Sequence, residues 1–368
     1  MLREHATAIA LIWLLLVATP DCPAADFAHN EGFSKLTQLA EGLLRGDHVR
    51  RRVPGFEILL LRDGQPVYHR AFGDWELGRL AQTDSSSKTL AGGLVMSVVD
   101  SGEQGFSLDS RLGEFLPEFA KGELAPITVR QAFSHSSGIK GQDVGSLILR
   151  TKRIELRQGA RLIARQSLEH GPPGSRFAYG GLSMQATGAA LEAATGTPYC
   201  ELFAERITGP LGMHHTRYTL ASDSNPRVAG GVQSTAADFS RYMDMLLNHG
   251  VDRPSGRRVL SAQAVNALLT RQTNESLPID HSPVDNNRYG IGVWLDQLAE
   301  PGPAVDAMAG GARGFHSWID RGRGLVLTLS TDETTFANLE PAAELMRAAV
   351  VEELAGAQRL QDLPGQSN

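Results

Sequence analysis

Apolar positions along this chain change their period twice. Leu36 to Leu44 repeats at helical spacing, and Gly55-Phe56-Glu57-Ile58-Leu59-Leu60-Leu61 then runs almost continuously apolar. Arg62-Asp63-Gly64-Gln65 interrupts the run before Val67 to Phe72, which predicts a hairpin turning on Asp-Gly. A buried helix is expected after Ser85, through Thr89, Leu90, Ala91, Leu94, Val95, Met96, Val98 and Val99, with Gly92 and Gly93 permitting close backbone packing. Pro117, Pro126 and many turn residues mark a loop-rich middle. Helices are expected over Ile127 to Phe133, led in by Thr128, and over Leu182 to Ala194, ending at Gly196. Another starts at Ser234 or Thr235, where Thr235 and Asp238 have capping-box spacing, and runs to Gly250; a further one covers Ser261 to Leu269. Tyr289 to Leu295, Phe315 to Asp320 and Leu325 to Ser330 read as strands, the last two joined by Arg321-Gly322-Arg323-Gly324, and Leu339 to Leu354 closes as a helix. Strands, then helices, then strands predict a sheet built from both chain ends, with a helical region inserted between.

Composition narrows the picture. The 368 residues, 42% of them apolar, allow a substantial core in one large domain or two intimate ones. A net charge of −6 argues against nucleic acid as a partner. The exception is Arg150 to Arg165, where Arg150, Lys152, Arg153, Arg157, Arg161 and Arg165 cluster. The spacing of Ile154, Leu162 and Ile163 there suggests an amphipathic helix with a solvated basic face. At the N-terminus, Arg3 precedes an apolar stretch from Ala6 to Val17, too short to span a membrane. Pro23-Ala24-Ala25 offers cleavage before Asp26, so residues 1–25 read as a signal peptide and the mature protein as exported, periplasmic or secreted, without stable membrane insertion, with an uncleaved anchor as the alternative. Cleavage leaves Cys200 alone, and no intramolecular disulfide is expected. The tail, 361–368, is expected to fray.

The candidate chemistry lies in Ser85-Ser86-Ser87-Lys88. Residues three apart share a helix face, so a hydroxyl and an amine become neighbours there. Ser-x-x-Lys occurs a second time, as Ser137-Gly138-Ile139-Lys140, but within the turn-forming Ser134-His135-Ser136-Ser137-Gly138. There is no Gly-x-Ser-x-Gly, His-Glu-x-x-His, Cys-x-x-Cys or phosphate-loop pattern, so no metal or other cofactor is expected. His214-His215 is not expected to bind metal, since adjacent side chains point apart. His135 reads as a structural hydrogen-bonding residue, His316 as a sheet position, and Cys200 as a small buried hydrophobe.

With these pieces in order, the chain resembles the serine β-lactamase and penicillin-binding-protein superfamily, in particular the class C-like branch that includes D-aminopeptidases and carboxylesterases. Besides Ser85-x-x-Lys88, the resemblance is carried by Val53-Pro54-Gly55, Ile127-Thr128-Val129-Arg130 and His135-Ser136-Ser137-Gly138-Ile139. Pro172-Pro173-Gly174 to Tyr179, Pro210-Leu211-Gly212-Met213, and Ala229-Gly230-Gly231 before Ser234 extend it in the same order. It implies an α+β fold in which an antiparallel sheet flanked by helices (about 26–84 and 285–360) carries an inserted, mostly helical lobe (about 85–284), together one domain over 26–360. It also implies Ser85 as nucleophile, Lys88 and Tyr179 as proton-transfer groups, and an oxyanion hole made by the N–H groups of Ser85 and Gly311, with Ala312 as the alternative one residue on.

Two positions depart from the family pattern. Gly181 stands where an Asn commonly follows the tyrosine by two, and Met308 stands where the third motif begins with Lys, His or Trp; Gly310 keeps that motif's glycine. Gly181, Met308 and Gly310 are the expected substrate-binding positions. Neither Gly181 nor Met308 can hold a substrate amide or carboxylate, so an uncharged ester is expected in preference to a β-lactam or peptide. The small-molecule substrate would be cleaved through an acyl-enzyme on Ser85. The rival reading is a catalytically degenerate penicillin-binding-like receptor or scaffold. The oligomeric state is left open.

Overall fold

The computed structural model describes residues 32–140, 146–299 and 301–361. The signal segment, its cleavage point and residues 362–368 lie outside them. Six antiparallel strands form the main sheet: β1 Gly55–Arg62, β2 Gln65–Gly73, β3 Trp294–Leu295, β4 Asp306–Gly310, β5 His316–Asp320 and β6 Leu325–Ser330, in the order β3-β4-β5-β6-β1-β2. Both chain ends therefore feed one sheet, joined where β1 pairs with β6 from Glu57↔Ser330 to Arg62↔Leu325. The β1–β2 turn falls on Asp63 and Gly64, both at positive φ (50° and 77°), as an Asp-Gly hairpin of this hand requires.

Helices cover both faces of the sheet, which explains the nearly unbroken apolar run of β1. On one face Ser240, in α4 (Ala236–Leu247), bonds Thr328 (2.7 Å), which bonds Ser317 (2.8 Å). Because side chains alternate along a strand, the neighbours of Ser317 point the other way. His316 meets Glu340 at 3.1 Å, and Trp318 lies under the Arg347 guanidinium; both partners belong to α6 (Phe336–Gln361). The first helix, α1 (Ser34–Arg45), packs on α6 and β2.

The nucleophile candidate belongs to the insertion. α2 (Ser87–Ser101) is buried from Ser87 to Val98 and packs against α3 (Leu182–Thr195) and α5 (Ala262–Leu269). Gly92 and Gly93 are required for this fit. A Cβ at Gly92 would lie 2.1 Å from the Ile291 carbonyl, and one at Gly93 would lie 2.4 Å from the Tyr242 hydroxyl, which itself donates to the Thr89 carbonyl. Helix starts agree with the sequence signals. The Thr235 side chain accepts from the Asp238 N–H and the Thr128 side chain from that of Gln131, caps that each contribute about 1 kcal/mol.

Three expectations change. The strand expected over Tyr289 to Leu295 shrinks to β3, because Gly290 and Gly292 press against the carbonyls of Leu268 and Lys88, leaving 2.2 Å for any Cβ. The helix expected over Arg150 to Arg165 covers only Leu156–Ile163, started by a reciprocal cap between Glu155 and Gln158. The strand β4 was not expected: Asp306-Ala307-Met308-Ala309-Gly310 is poor in β-branched and aromatic residues, and its pairing between β3 and β5 overrides that composition.

Candidate active site

Ser85 sits on a single turn of 3₁₀ helix, Asp84–Ser86, that leads into α2. Thr83 pins this turn: its N–H and hydroxyl both reach the Val232 carbonyl (3.0 Å each), and its hydroxyl meets that of Ser87 at 2.9 Å. The next residue, Asp84, has φ of +44°, a conformation Asp tolerates better than most side chains. Its carboxylate is gripped by Arg313 through the backbone N–H (3.2 Å), Nε (2.9 Å) and Nη2 (3.2 Å). The turn that presents Ser85 is thus tied to the loop after β4 by an ion pair on the residue preceding it.

Lys88 Nζ donates to Ser85 Oγ at 3.1 Å and to the Ala229 carbonyl at 3.0 Å, and the Lys88 residue is only 3% exposed. It also lies 4.5 Å from the centroid of the Tyr179 ring, which stacks on Trp294. Serine, lysine and tyrosine of the expected triad therefore meet. Tyr179 is held through its own N–H by the His281 carbonyl (2.9 Å), and its flanking residues are held by His135. The His135 carbonyl accepts from the Ala178 N–H (2.8 Å), its Nδ1 accepts from the Gly180 N–H (3.3 Å), and its ring packs 4.4 Å from that of Tyr179. Since Nδ1 is an acceptor, the proton is on Nε2. Burial, reinforced by the positive Lys88, holds this imidazole neutral well below its ordinary range.

The second Ser-x-x-Lys copy does not assemble a site. Ser137 Oγ accepts from the Ile139 N–H, and Lys140 pairs with Glu169 at the surface. His316 is buried among Glu340 and Arg347 behind the sheet. Cys200 is half-buried, and burial pushes its thiol up to about 12, so little thiolate forms at neutral pH.

Ser85, Lys88 and Tyr179 open into a cleft of about 420 Å³, within the usual range for small-molecule sites. Gly181 lines it at the start of α3, and Gly310 lines it at the end of β4. Met308 does not. It is 3% exposed, its sulfur lies 3.0 Å from the point a Cβ at Gly310 would occupy, and it pairs in register with Trp294 and Trp318. Gly310 and Gly311 allow this strand to approach: their Cβ atoms would meet the Phe336 ring at 2.5 Å and the Thr83 carbonyl at 2.4 Å. The expected oxyanion donor Gly311 needs correction, because its N–H donates to the Phe315 carbonyl at 2.7 Å. The N–H groups of Ser85 and Ala312 have no acceptor among the described residues. Ala312 also lines the cleft.

Sequence reasoning missed Leu149, Arg227, His281, Trp294 and Phe336, which complete the cleft wall. None sits in a motif, and only the folded chain brings them together from separate segments.

Comparison with known proteins agrees with this geometry. The sequence model of the Beta-lactamase family matches residues 35–351. The D-alanyl-D-alanine-carboxypeptidase/endopeptidase AmpH of Escherichia coli strain K12 is 25% identical over 300 residues, covering 71% of this chain and 74% of that protein. Penicillin-binding protein 4 of Amycolatopsis lactamdurans is 29% identical over 332 residues, 78% of this chain and 82% of that protein. The crystal structure of a family VIII carboxylesterase superposes with a TM-score of 0.71 at 19% identity, covering 88% of this chain and 98% of the other. A match of this extent, on a chain with this fold, makes the protein a member of the beta-lactamase family of serine hydrolases.

Proposed function

We propose that this hydrolase cleaves an ester or amide through an acyl-enzyme on Ser85, with ester hydrolysis favoured over β-lactam or D,D-peptide cleavage. The observation that carries the reading is the 3.1 Å contact between Lys88 Nζ and Ser85 Oγ inside the cleft. A serine hydroxyl becomes a nucleophile when a neighbouring base takes its proton as it attacks. In its neutral form Lys88 takes that proton, with Tyr179 beside it as the second transfer group. Ser85 Oγ bonds to the carbonyl carbon, and the carbonyl π electrons move onto oxygen. The N–H groups of Ser85 and Ala312 then hold the oxyanion. Collapse expels the leaving group, which takes the proton. Water repeats the sequence on the acyl-enzyme and releases the acid and Ser85.

The ester preference rests on two positions of the family pattern. Gly181 offers no side-chain amide, and the buried Met308 offers no cation. Export is part of the proposal through the Ala6–Val17 stretch; no helix among the described residues is long and apolar enough to cross a membrane.

A fluorophosphonate probe tests the assignment. Ser85→Ala abolishes labelling and Ser137→Ala retains it, while Lys88→Ala and Tyr179→Phe lower ester turnover by about 10²–10⁴-fold. Labelling that persists in Ser85→Ala, or near-normal turnover by Tyr179→Phe, rules out the role given to that residue.

A further inference from the structure

Arg227 contrasts with several arginines near the core. Arg241, Arg313 and Arg347 each meet a carboxylate within 3.0 Å. The Arg227 side chain, half-buried on the cleft wall, has no ion pair or hydrogen bond among the described residues. Its guanidinium folds over Gly230, with Nε, Cζ and Nη2 at 3.3–3.6 Å from the point a Cβ there would occupy. That places it one residue from Ala229, whose carbonyl holds Lys88.

The backbone on either side of Arg227 is fixed. The fully buried Gln185 donates to the Pro226 carbonyl (2.8 Å) and accepts from the Val228 N–H (3.1 Å). Asn225 is tied in turn to Gln185 and to the Ile148 carbonyl. A guanidinium on a clamped backbone, resting on Gly230 at the cleft wall and lacking a counter-ion, is available to an anion from outside.

The rest of the wall agrees. In a chain with 41 acidic and 35 basic residues, no Asp or Glu among the described residues lines this cleft; its ionisable side chains are those of Lys88, Tyr179, Arg227 and His281. Walls of one sign raise the local concentration of oppositely charged ligands. Leu149, Pro283, Trp294 and Phe336 supply apolar surface beside them.

We propose that Arg227 forms a carboxylate subsite, so that the preferred substrate is an apolar ester or amide carrying a carboxylate besides its scissile carbonyl. This rests on the reading of Ser85 given above and extends it. The buried Met308 removes anion recognition from β4, and Arg227 supplies it from the helical lobe.

The test compares p-nitrophenyl hemiglutarate, which carries the charge on the acyl side, and the butyrate ester of 4-hydroxybenzoate, which carries it on the leaving group, with neutral p-nitrophenyl butyrate. In Arg227→Gln the ratio of kcat/KM for at least one charged ester to the neutral ester falls about ten- to a hundredfold, chiefly through KM. Arg227→Lys keeps part of the preference, and in the wild type the preference shrinks as salt rises. The ester that responds tells which side of the scissile bond Arg227 serves. Equal ratios in wild type and Arg227→Gln overturn the subsite. Calorimetric binding of 4-phenylbutyrate against 4-phenylbutyramide keeps the test independent of turnover: if no ester is hydrolysed, the Ser85 reading fails while the selectivity for the acid, and its loss in Arg227→Gln, still decides the role of Arg227.

Discussion

His135 combines a left-handed backbone (φ +60°), a buried ring and two hydrogen bonds, accepted by its carbonyl and its Nδ1, from the segment that carries Tyr179. Its imidazole stays neutral in the folded protein, pushed down by burial and then by Lys88. The unfolded chain binds a proton at this residue below its ordinary value of 6.5, and the folded chain does not. The unfolded state therefore gains protons first on acidification, and stability falls as pH drops below that value. The contribution is up to about 1.4 kcal/mol per pH unit. Asn tolerates positive φ and does not titrate, so His135→Asn has a shallower loss of stability between about pH 6.5 and pH 5 in urea unfolding. Identical slopes in the two proteins would show that His135 is protonated without cost. At this scale the proximity of Ser85 and Lys88 was legible because the two lie three residues apart at a helix start, whereas Tyr179 entered only through the family resemblance. The work of His135 was less legible, since it acts through its backbone carbonyl, ring packing and Nδ1 on a segment more than forty residues away.

Among elements, the junction between the nucleophile turn and the loop after β4 governs geometry. Asp84 holds a conformation that costs most residues about 1 kcal/mol or more, and three hydrogen bonds from Arg313 keep it there. The same loop carries Ala312, so this ion pair ties the Ser85 turn to the loop that bears the proposed second oxyanion donor. Arg313 is 44% exposed at its side chain, and an exposed pair of this kind adds little stability. Its loss is expected in the rate instead. Arg313→Met lowers kcat about tenfold or more, with KM and melting temperature nearly unmoved, because small misplacements of reacting groups are costly. Asp84→Gly in that background restores much of the rate, since glycine adopts positive φ without a tether. An Arg313→Met enzyme with full kcat removes the pair from catalysis. The hairpin at Asp63-Gly64 and the caps at Thr128, Thr235 and Ser261 were readable because local chemistry alone decides them. β4 and the break at Gly290–Gly292 were not, because neighbouring strands and the carbonyls of α2 and α5 decide those.

For the whole molecule, the alternation of strands, helices and strands foretold a sheet closed from both chain ends, and β1 beside β6 realises it. The wall of the cleft was beyond the sequence, since Leu149, Arg227, Pro283 and Phe336 come from four separate segments. In the function proposed above, that wall sets the substrate class. A β-lactam fixes its carboxylate rigidly beside the scissile carbonyl, where the family pattern puts a cation on the third-motif strand; here that position is the buried Met308. Losing a charge-assisted hydrogen bond weakens binding by about 1.5–3 kcal/mol, roughly ten- to a hundredfold. Gly181 removes in addition the amide that would hold an acylamido side chain. A flexible ester needs only Ser85, the two N–H donors and apolar contact, and it can extend a distal carboxylate to Arg227, which a fused ring cannot do without leaving the nucleophile. Accordingly kcat/KM for a p-nitrophenyl ester exceeds that for a penicillin or cephalosporin by at least tenfold. Met308→Lys narrows the gap only if the new amine reaches past Gly310 into the cleft. Assays of both substrate classes on the purified mature protein decide the matter: efficient β-lactam turnover with negligible esterase activity would mean that Gly181 and Met308 do not set specificity.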